Sequence, residues 1–212
     1  MADTKNAKHG KKKARKNSNY KTVVKYVDID QLLKKALCDY RNMPQPDPEF
    51  GQRPEVVQNK YEKCVRFCTV AQVITKEERD LLFEGKNHVP MSAEEQAEFT
   101  GIPVYQIEKN EFAFKARKPE DFVRASMVRL ALCDMINEVI SKTDPEQDID
   151  TDNPLLEEAA CYINFCLENG IITQDQALTI YVQVKQKQEL DIPFVAGLTG
   201  LGVDVLTQMA QS

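Results

Sequence analysis

An internal repeat constrains the fold of this chain more than any other feature of its sequence. The tetrapeptide Ala-Leu-Cys-Asp at positions 36–39 recurs at positions 131–134, and the landmarks that follow each copy come in the same order. The separation between matching landmarks rises from 95 to 99 residues along the chain, as a few small insertions would cause. The sequence therefore predicts a tandem duplication and a fold built from two similar modules.

The landmarks that support this duplication are spread over the whole length of both copies. Asp-Pro-Glu at 47–49 matches Asp-Pro-Glu at 144–146, and Thr-Gly at 100–101 matches Thr-Gly at 199–200. All six cysteines also fall into matched pairs, which are Cys38 with Cys133, Cys64 with Cys161, and Cys68 with Cys166. We place module 1 at residues 23–116 and module 2 at residues 117–212.

Both modules are predicted to be all-α. Apolar residues between positions 27 and 42, and between 120 and 142, follow the i, i+3, i+4 spacing of helices. Pro54 and Pro154 are suited to the first turn of a helix, and Thr75, Ser92 and Thr173 each begin a capping box. Two short helices are expected near 194–198 and 203–211. Residues 103–115 are ambiguous, because their pattern fits either a small β-hairpin through 109–110 or a helix followed by a connector.

The N-terminal segment, residues 1–22, is predicted to be a disordered basic arm. Residues 1–25 contain nine lysines and arginines and one aspartate, a local charge of +8. Because the whole chain carries −5, the other 187 residues carry −13. Clustered basic residues gain affinity for phosphates by releasing counterions. The predicted nucleic-acid-binding residues are Lys8, Lys11, Lys12, Lys13, Arg15, Lys16 and Lys21.

The cysteines are interpreted as small core residues with free thiols. They lie in apolar helical surroundings, and the N-terminus lacks the apolar stretch of a secretory signal. Each module offers three cysteines, and the only histidines are His9 and His88, so a four-ligand zinc site has no complete set of ligands in module 2. An acidic stretch at 148–159 begins like a calcium loop but lacks its glycine and its final glutamate. We expect no metal, no cofactor and no catalytic residue, and thus a non-enzymatic protein.

Two short segments, 97–107 and 196–206, resemble the helix-turn-helix of repressor-like DNA-binding proteins. Ala97, Gly101 and Ile102 match a small residue at the helix contact, a glycine in the turn and an apolar residue after it, and Ala196, Gly200 and Leu201 repeat the pattern. The resemblance implies a second helix that reads bases. The residues available for that role in the first copy are Gln106, Lys109 and Asn110.

These observations favour a structural or assembly protein that holds nucleic acid with its arm and contacts other subunits with its helical body. Such proteins include virion capsid, nucleocapsid and internal virion proteins, and ribonucleoprotein factors. Two alternatives stay open, a helix-turn-helix DNA-binding regulator acting as a pseudo-dimer and an interaction adaptor without nucleic acid. We expect a homo- or hetero-oligomer in a virion or in the cytoplasm or nucleus of a host cell, with no membrane partner.

Overall fold

The fold is all-α, as predicted. The structure is a computed structural model that describes residues 25–43, 54–84, 90–110, 112–116, 118–144 and 153–211. Those residues form ten helices and two strands of three residues each. The elements, in chain order, are β1 (Lys25–Val27), α1 (Ile29–Asn42), α2 (Pro54–Val70), α3 (Lys76–Glu84), α4 (Ala93–Thr100), α5 (Val104–Lys109), β2 (Phe112–Phe114), α6 (Pro119–Ser141), α7 (Pro154–Glu168), α8 (Gln174–Lys185), α9 (Ile192–Thr199) and α10 (Val203–Ala210).

The predicted helix starts are confirmed together with the side chains that stabilise them. The amide of Thr75 donates to Glu78 Oε2 at 2.8 Å, and the amide of Glu78 donates to Thr75 Oγ1 at 3.1 Å. Equivalent reciprocal bonds begin α4 at Ser92 and α8 at Thr173. These bonds satisfy amides that have no partner inside a helix, so each capping box fixes where its helix begins.

The alternative of a β-hairpin across residues 103–115 is wrong. The amides of Gln106 and Ile107 donate to the Pro103 carbonyl at 2.9 and 3.3 Å, which closes a helical turn and leaves no strand there to pair. Asn110 then ends α5 in the left-handed region with φ of 51°. The strand β2 follows, and it pairs in parallel with β1, a segment more than 80 residues earlier in the chain.

Helices α1–α5 and α6–α10 form two series in the same order, and specific hydrogen bonds recur in both. Asn42 at the end of α1 accepts from the Met91 amide at 2.7 Å and donates to the Met91 carbonyl at 2.9 Å. Asn137 in α6 makes the same pair of bonds with the backbone of Leu190, at 2.8 and 3.3 Å. This recurrence supports a duplication, and the predicted module boundaries stay a prediction.

One apolar cluster contains residues of both series and joins them. Phe67 of α2 and Phe165 of α7, which occupy matched positions in the repeat, meet edge to face with their ring centres 5.8 Å apart. Arg66 bridges to Glu138 and Glu158 on the other series at 2.7 and 2.6 Å. The two series therefore share a core. None of the described helices has both the length and the apolar character needed to cross a bilayer.

Candidate functional site

The predicted helix-turn-helix corresponds to α4, a tight turn and α5. Gly101 ends α4 with φ of 71°, a conformation that glycine adopts without strain. The Thr100 hydroxyl donates to the Gln96 carbonyl at 2.7 Å and accepts from the Ile102 amide at 3.1 Å. Two short helices are thereby held at a fixed corner.

The α9–α10 corner has the same construction. Gly200 has φ of 74° and ends α9. The Thr199 hydroxyl donates to the Val195 carbonyl at 2.7 Å and accepts from the Leu201 amide at 3.2 Å. The resemblance noticed in the sequence therefore marks two matched structural corners.

The residues predicted to read bases do not form one exposed surface. Gln106 is only 6% exposed and Ile107 only 9%, so the middle of α5 faces the protein. Lys109 and Asn110 are exposed at its C-terminal end. A recognition helix must present several polar side chains to a groove, and α5, with six residues, presents few. The burial of Gln106 argues against its role in base reading.

Helix α10 is less suited still to contact with nucleic acid. Its only charged residue is Asp204, and its exposed positions include Val203 and Val205. A surface that binds phosphate needs positive charge. The corner formed by α9 and α10 is therefore better suited to protein contact.

The predicted phosphate-binding residues belong to the arm and lie outside the described residues. They are Lys8, Lys11, Lys12, Lys13, Arg15, Lys16 and Lys21. The first described residue, Lys25, begins β1, which pairs with β2. The first described residues lie beside the α4–α5 corner, where Val27 packs with Ile102 and Ile107.

Five of the six cysteines are core residues, as the sequence predicted, and Cys161 is the exception. Five are buried, Cys161 is half-buried, and all six are free thiols. Burial raises the pKa of Cys38 and of Cys133 to about 12, and raises the pKa of Cys68 and Cys166 well above the ordinary value. A thiol that stays protonated is a poor nucleophile and a poor metal ligand. Across the described ranges, no three His, Cys, Asp or Glu side chains converge as a metal site would require.

A cleft between α1, α2 and α7 is the feature that sequence reasoning missed. Its volume is about 190 Å³, and it lies where the matched residues Cys64 and Cys161 approach each other. Tyr40 donates to Glu168 Oε2 at 2.8 Å at the same place. The recurrence of Cys64 and Cys161 in the repeat was the signal that could have pointed to it. Its lining includes Tyr40, Lys60, Lys63, Cys64, Cys161 and Glu168.

The chemistry of this cleft favours packing over catalysis. Its volume is below the roughly 300–1,000 Å³ of ordinary small-molecule sites. Burial raises the pKa of Cys64, Cys161 and Tyr40, and a hydrogen bond to Glu168 raises that of Tyr40 further. The cleft thus offers protonated groups where catalysis by a nucleophile would need an ionised one.

Comparison of the chain with protein-family models, with curated proteins and with solved structures found no match.

Proposed function

We propose that this chain is a non-enzymatic structural or assembly protein. Its basic arm, residues 1–22, holds the phosphates of nucleic acid, while its helical body contacts other protein subunits. Virion capsid, nucleocapsid and internal virion proteins have this role, as do ribonucleoprotein factors. The protein would act in a virion or in the cytoplasm or nucleus of a host cell.

The observation that carries this proposal is the separation of charge along the chain. Residues 1–25 carry +8, and the remainder carries −13. Phosphate binding depends on clustered positive charge, and an acidic body repels a polyanion. Nucleic acid is therefore expected to bind the arm and leave the body free for protein contacts.

The proposal is tested by the salt dependence of nucleic-acid binding. In the test variant Lys11, Lys12, Lys13, Arg15 and Lys16 are replaced by Gln in the full chain, and affinity is measured by fluorescence anisotropy with single-stranded DNA and RNA oligonucleotides of the same sequence. Each phosphate contact contributes about 0.7 to the slope of log affinity against log salt for a single strand. Loss of five contacts should make that slope shallower by about 3.5.

A matched control carries the same number of replacements on the body. The control replaces by Gln the residues Lys60, Lys63, Lys76, Lys142 and Lys185. We expect the slope of log affinity against log salt to stay within about 0.7, the contribution of one phosphate contact, of the value for the unmodified chain. Equal losses in the two variants would contradict an arm-specific site. No binding by the unmodified chain would favour the adaptor without nucleic acid.

A helix-turn-helix regulator acting as a pseudo-dimer is the second candidate. It is supported by the matched left-handed glycines Gly101 and Gly200 at the two corners. This candidate predicts that Lys109→Gln changes which duplex sequences are bound. Under the assembly proposal the same variant weakens binding to all sequences equally, or leaves it unchanged.

A further inference from the structure

Helix α10 has an apolar face that the body of the protein covers only in part. At 100° per residue, Val203, Val205, Leu206 and Met209 fall within an arc of about 160°. Leu206 is 6% exposed, whereas Val203, Val205 and Met209 are 49%, 47% and 43% exposed. An amphipathic helix normally buries such a face. The other side of the helix carries Asp204, Thr207 and Gln208.

Exposed apolar side chains also lie at the beginning of α6, on the side of that helix that contacts the end of α9. Ser126 donates to the Thr199 carbonyl at 2.6 Å, so this side of α6 lies against the corner that leads into α10. Phe122 and Val123 lie one helical turn before Ser126 and are 60% and 57% exposed, and Met127 is 38% exposed. We call these six exposed side chains the α6–α10 patch: Phe122, Val123, Met127, Val203, Val205 and Met209.

The matching surface of the first series is covered by the chain itself. Val27 precedes Phe122 by the 95 residues that separate Ala36 from Ala131. It is 7% exposed and packs with Ile102 and Ile107, at the corner between α4 and α5. Within the part of the chain that the structure describes, Phe122, at 60% exposure, has no comparable cover. At the positions of Phe122 and Val205 the second series therefore exposes side chains whose counterparts in the first series, Val27 and Gln106, are buried.

The charge of this surface indicates what can cover it. Between positions 192 and 211 the only charged residue is Asp204, although 29% of the whole chain is charged. A two-fold interface places a surface against its own copy, so a charged face would bring like charges together. The α10 side of the patch avoids that repulsion, and on the α6 side Lys118, Glu120 and Asp121 supply charges of both signs. Elsewhere the acidic body disfavours close approach of a second copy.

The size of the patch is suitable for the centre of such an interface. Six side chains with these exposures present apolar area on the order of 500 Å², near the upper end for the largest patch on a monomer. A standard interface buries roughly 800 Å² on each partner and has a polar rim. Thr207, Gln208 and Gln211 of α10 are placed to supply part of that rim.

We propose that the α6–α10 patch is a self-association surface, at which a second copy of the chain docks its own patch about a two-fold axis. This interface supplies the subunit contact of the proposed assembly function. It forms without nucleic acid and without the arm, so each idea can fail while the other holds.

The test is the mass of the full chain by sedimentation velocity over a wide range of concentrations, without nucleic acid. We expect a monomer–dimer equilibrium. Phe122→Glu and Val203→Glu each introduce a carboxylate from both copies into the apolar interface and should weaken dimerisation at least tenfold. Both residues are exposed, so far-UV circular dichroism and melting temperature should change little.

Equally exposed apolar residues outside the patch provide the controls. Leu178 of α8 is 61% exposed and Leu81 of α3 is 64% exposed. Leu178→Glu and Leu81→Glu should dimerise like the unmodified chain. A monomer at every concentration would overturn the proposal, and so would equal weakening by the control variants. A chain that is monomeric by itself but binds a different protein, and loses that binding in Phe122→Glu, would show that the patch docks a heterologous partner instead.

The same variants separate this inference from the proposed function. Phe122→Glu should bind single-stranded oligonucleotide with the salt slope of the unmodified chain, because the arm is intact. A chain that dimerises and does not bind nucleic acid would remove the proposed function and leave the interface. A chain that binds nucleic acid and never dimerises would remove the interface and leave the nucleic-acid binding of the proposed function.

Discussion

Cys38 in α1 and Cys133 in α6 occupy matched positions, and each is at most 1% exposed. Burial removes water that would stabilise a thiolate, so the pKa of each thiol rises from an ordinary value of 9.0 to about 12. Their place in the repeat is thus explained by packing. Replacement of either by a larger or a charged residue would disturb the helix contacts around it.

These raised pKa values predict that the protein loses stability at alkaline pH. Between pH 9.0 and about 12 the unfolded chain releases a proton from each thiol that the folded chain retains. The free energy of unfolding is therefore unaffected by these groups below pH 9 and decreases as the pH rises through that range. Each thiol contributes a slope of up to about 1.4 kcal/mol per pH unit. Urea unfolding at a series of pH values measures it.

The matched control for this prediction is the double variant Cys38→Ala and Cys133→Ala. It should be less stable at neutral pH, because two buried sulfur atoms are lost. Its stability should nevertheless decline less steeply with pH than that of the unmodified chain. Parallel curves for the two proteins would show that these thiols do not cause the alkaline loss.

Individual residues were predicted from the sequence when their environment followed from helical periodicity. The burial of Cys38, Cys64 and Cys68 is of this kind, because apolar neighbours recur at helical spacing. The burial of Gln106 is not. Its exposure depends on how α5 packs near Val27, a contact between distant parts of the chain that periodicity does not contain.

The ends of the helices were also predictable, because caps act within a few residues. Thr75, Ser92 and Thr173 cap helices as expected, and Gly101 and Gly200 end helices in the left-handed conformation. The pairing of β1 with β2 was not predictable. Three-residue strands carry little pattern, and parallel pairing depends on a partner far away in the sequence.

Substitutions of three glycines distinguish a helix end from a helix interior. Gly200 has φ of 74° with open space around it, so Gly200→Ala should cost about 1–2 kcal/mol in left-handed strain alone. At Gly101, with φ of 71°, an added Cβ would also lie 3.3 Å from Gln31 Nε2, which donates to the Gly101 carbonyl at 3.2 Å. Gly101→Ala should therefore cost more than Gly200→Ala. Chemical denaturation gives both values.

The control for this series is Gly197, which lies inside α9 with open space where a Cβ would be added. Gly197→Ala should stabilise the protein by about 0.5–1 kcal/mol, because alanine favours a helix and restricts the unfolded chain. A loss of stability at Gly197 similar to that at Gly200 would mean that added volume, and not backbone conformation, determines the effect.

The whole molecule is held together by contacts between the two helix series. Phe67 packs on Tyr162 and Phe165 with ring centres 6.3 and 5.8 Å apart, and Arg124 binds Asp30 Oδ1 at 2.9 Å and the Ala71 carbonyl at 2.8 Å. The sequence predicted two similar units in series. It also favoured packing of the two units against each other, but it did not identify which residues meet in the shared apolar cluster, because contacts between copies leave no spacing pattern in either copy.

This shared core predicts that the two series unfold together. Leu33 of α1 and Ile180 of α8 are both fully buried, in different series. Leu33→Ala and Ile180→Ala should each lower stability by about 2–5 kcal/mol, because each leaves a cavity. If the core is one cooperative unit, either variant shifts the same single transition.

Calorimetry and far-UV circular dichroism of the full chain measure this behaviour. The calorimetric enthalpy should equal the van 't Hoff enthalpy for the unmodified chain and for both variants. Leu81→Ala and Leu178→Ala each replace an exposed residue, one in each series. Each should leave the free energy of unfolding within about 0.5 kcal/mol of that of the unmodified chain. Two resolved transitions, one moved by Leu33→Ala and the other by Ile180→Ala, would show that the series are separate domains. A single transition moved by both variants would show that the two series unfold as one cooperative unit, as expected from the cluster that contains Phe67, Tyr162 and Phe165.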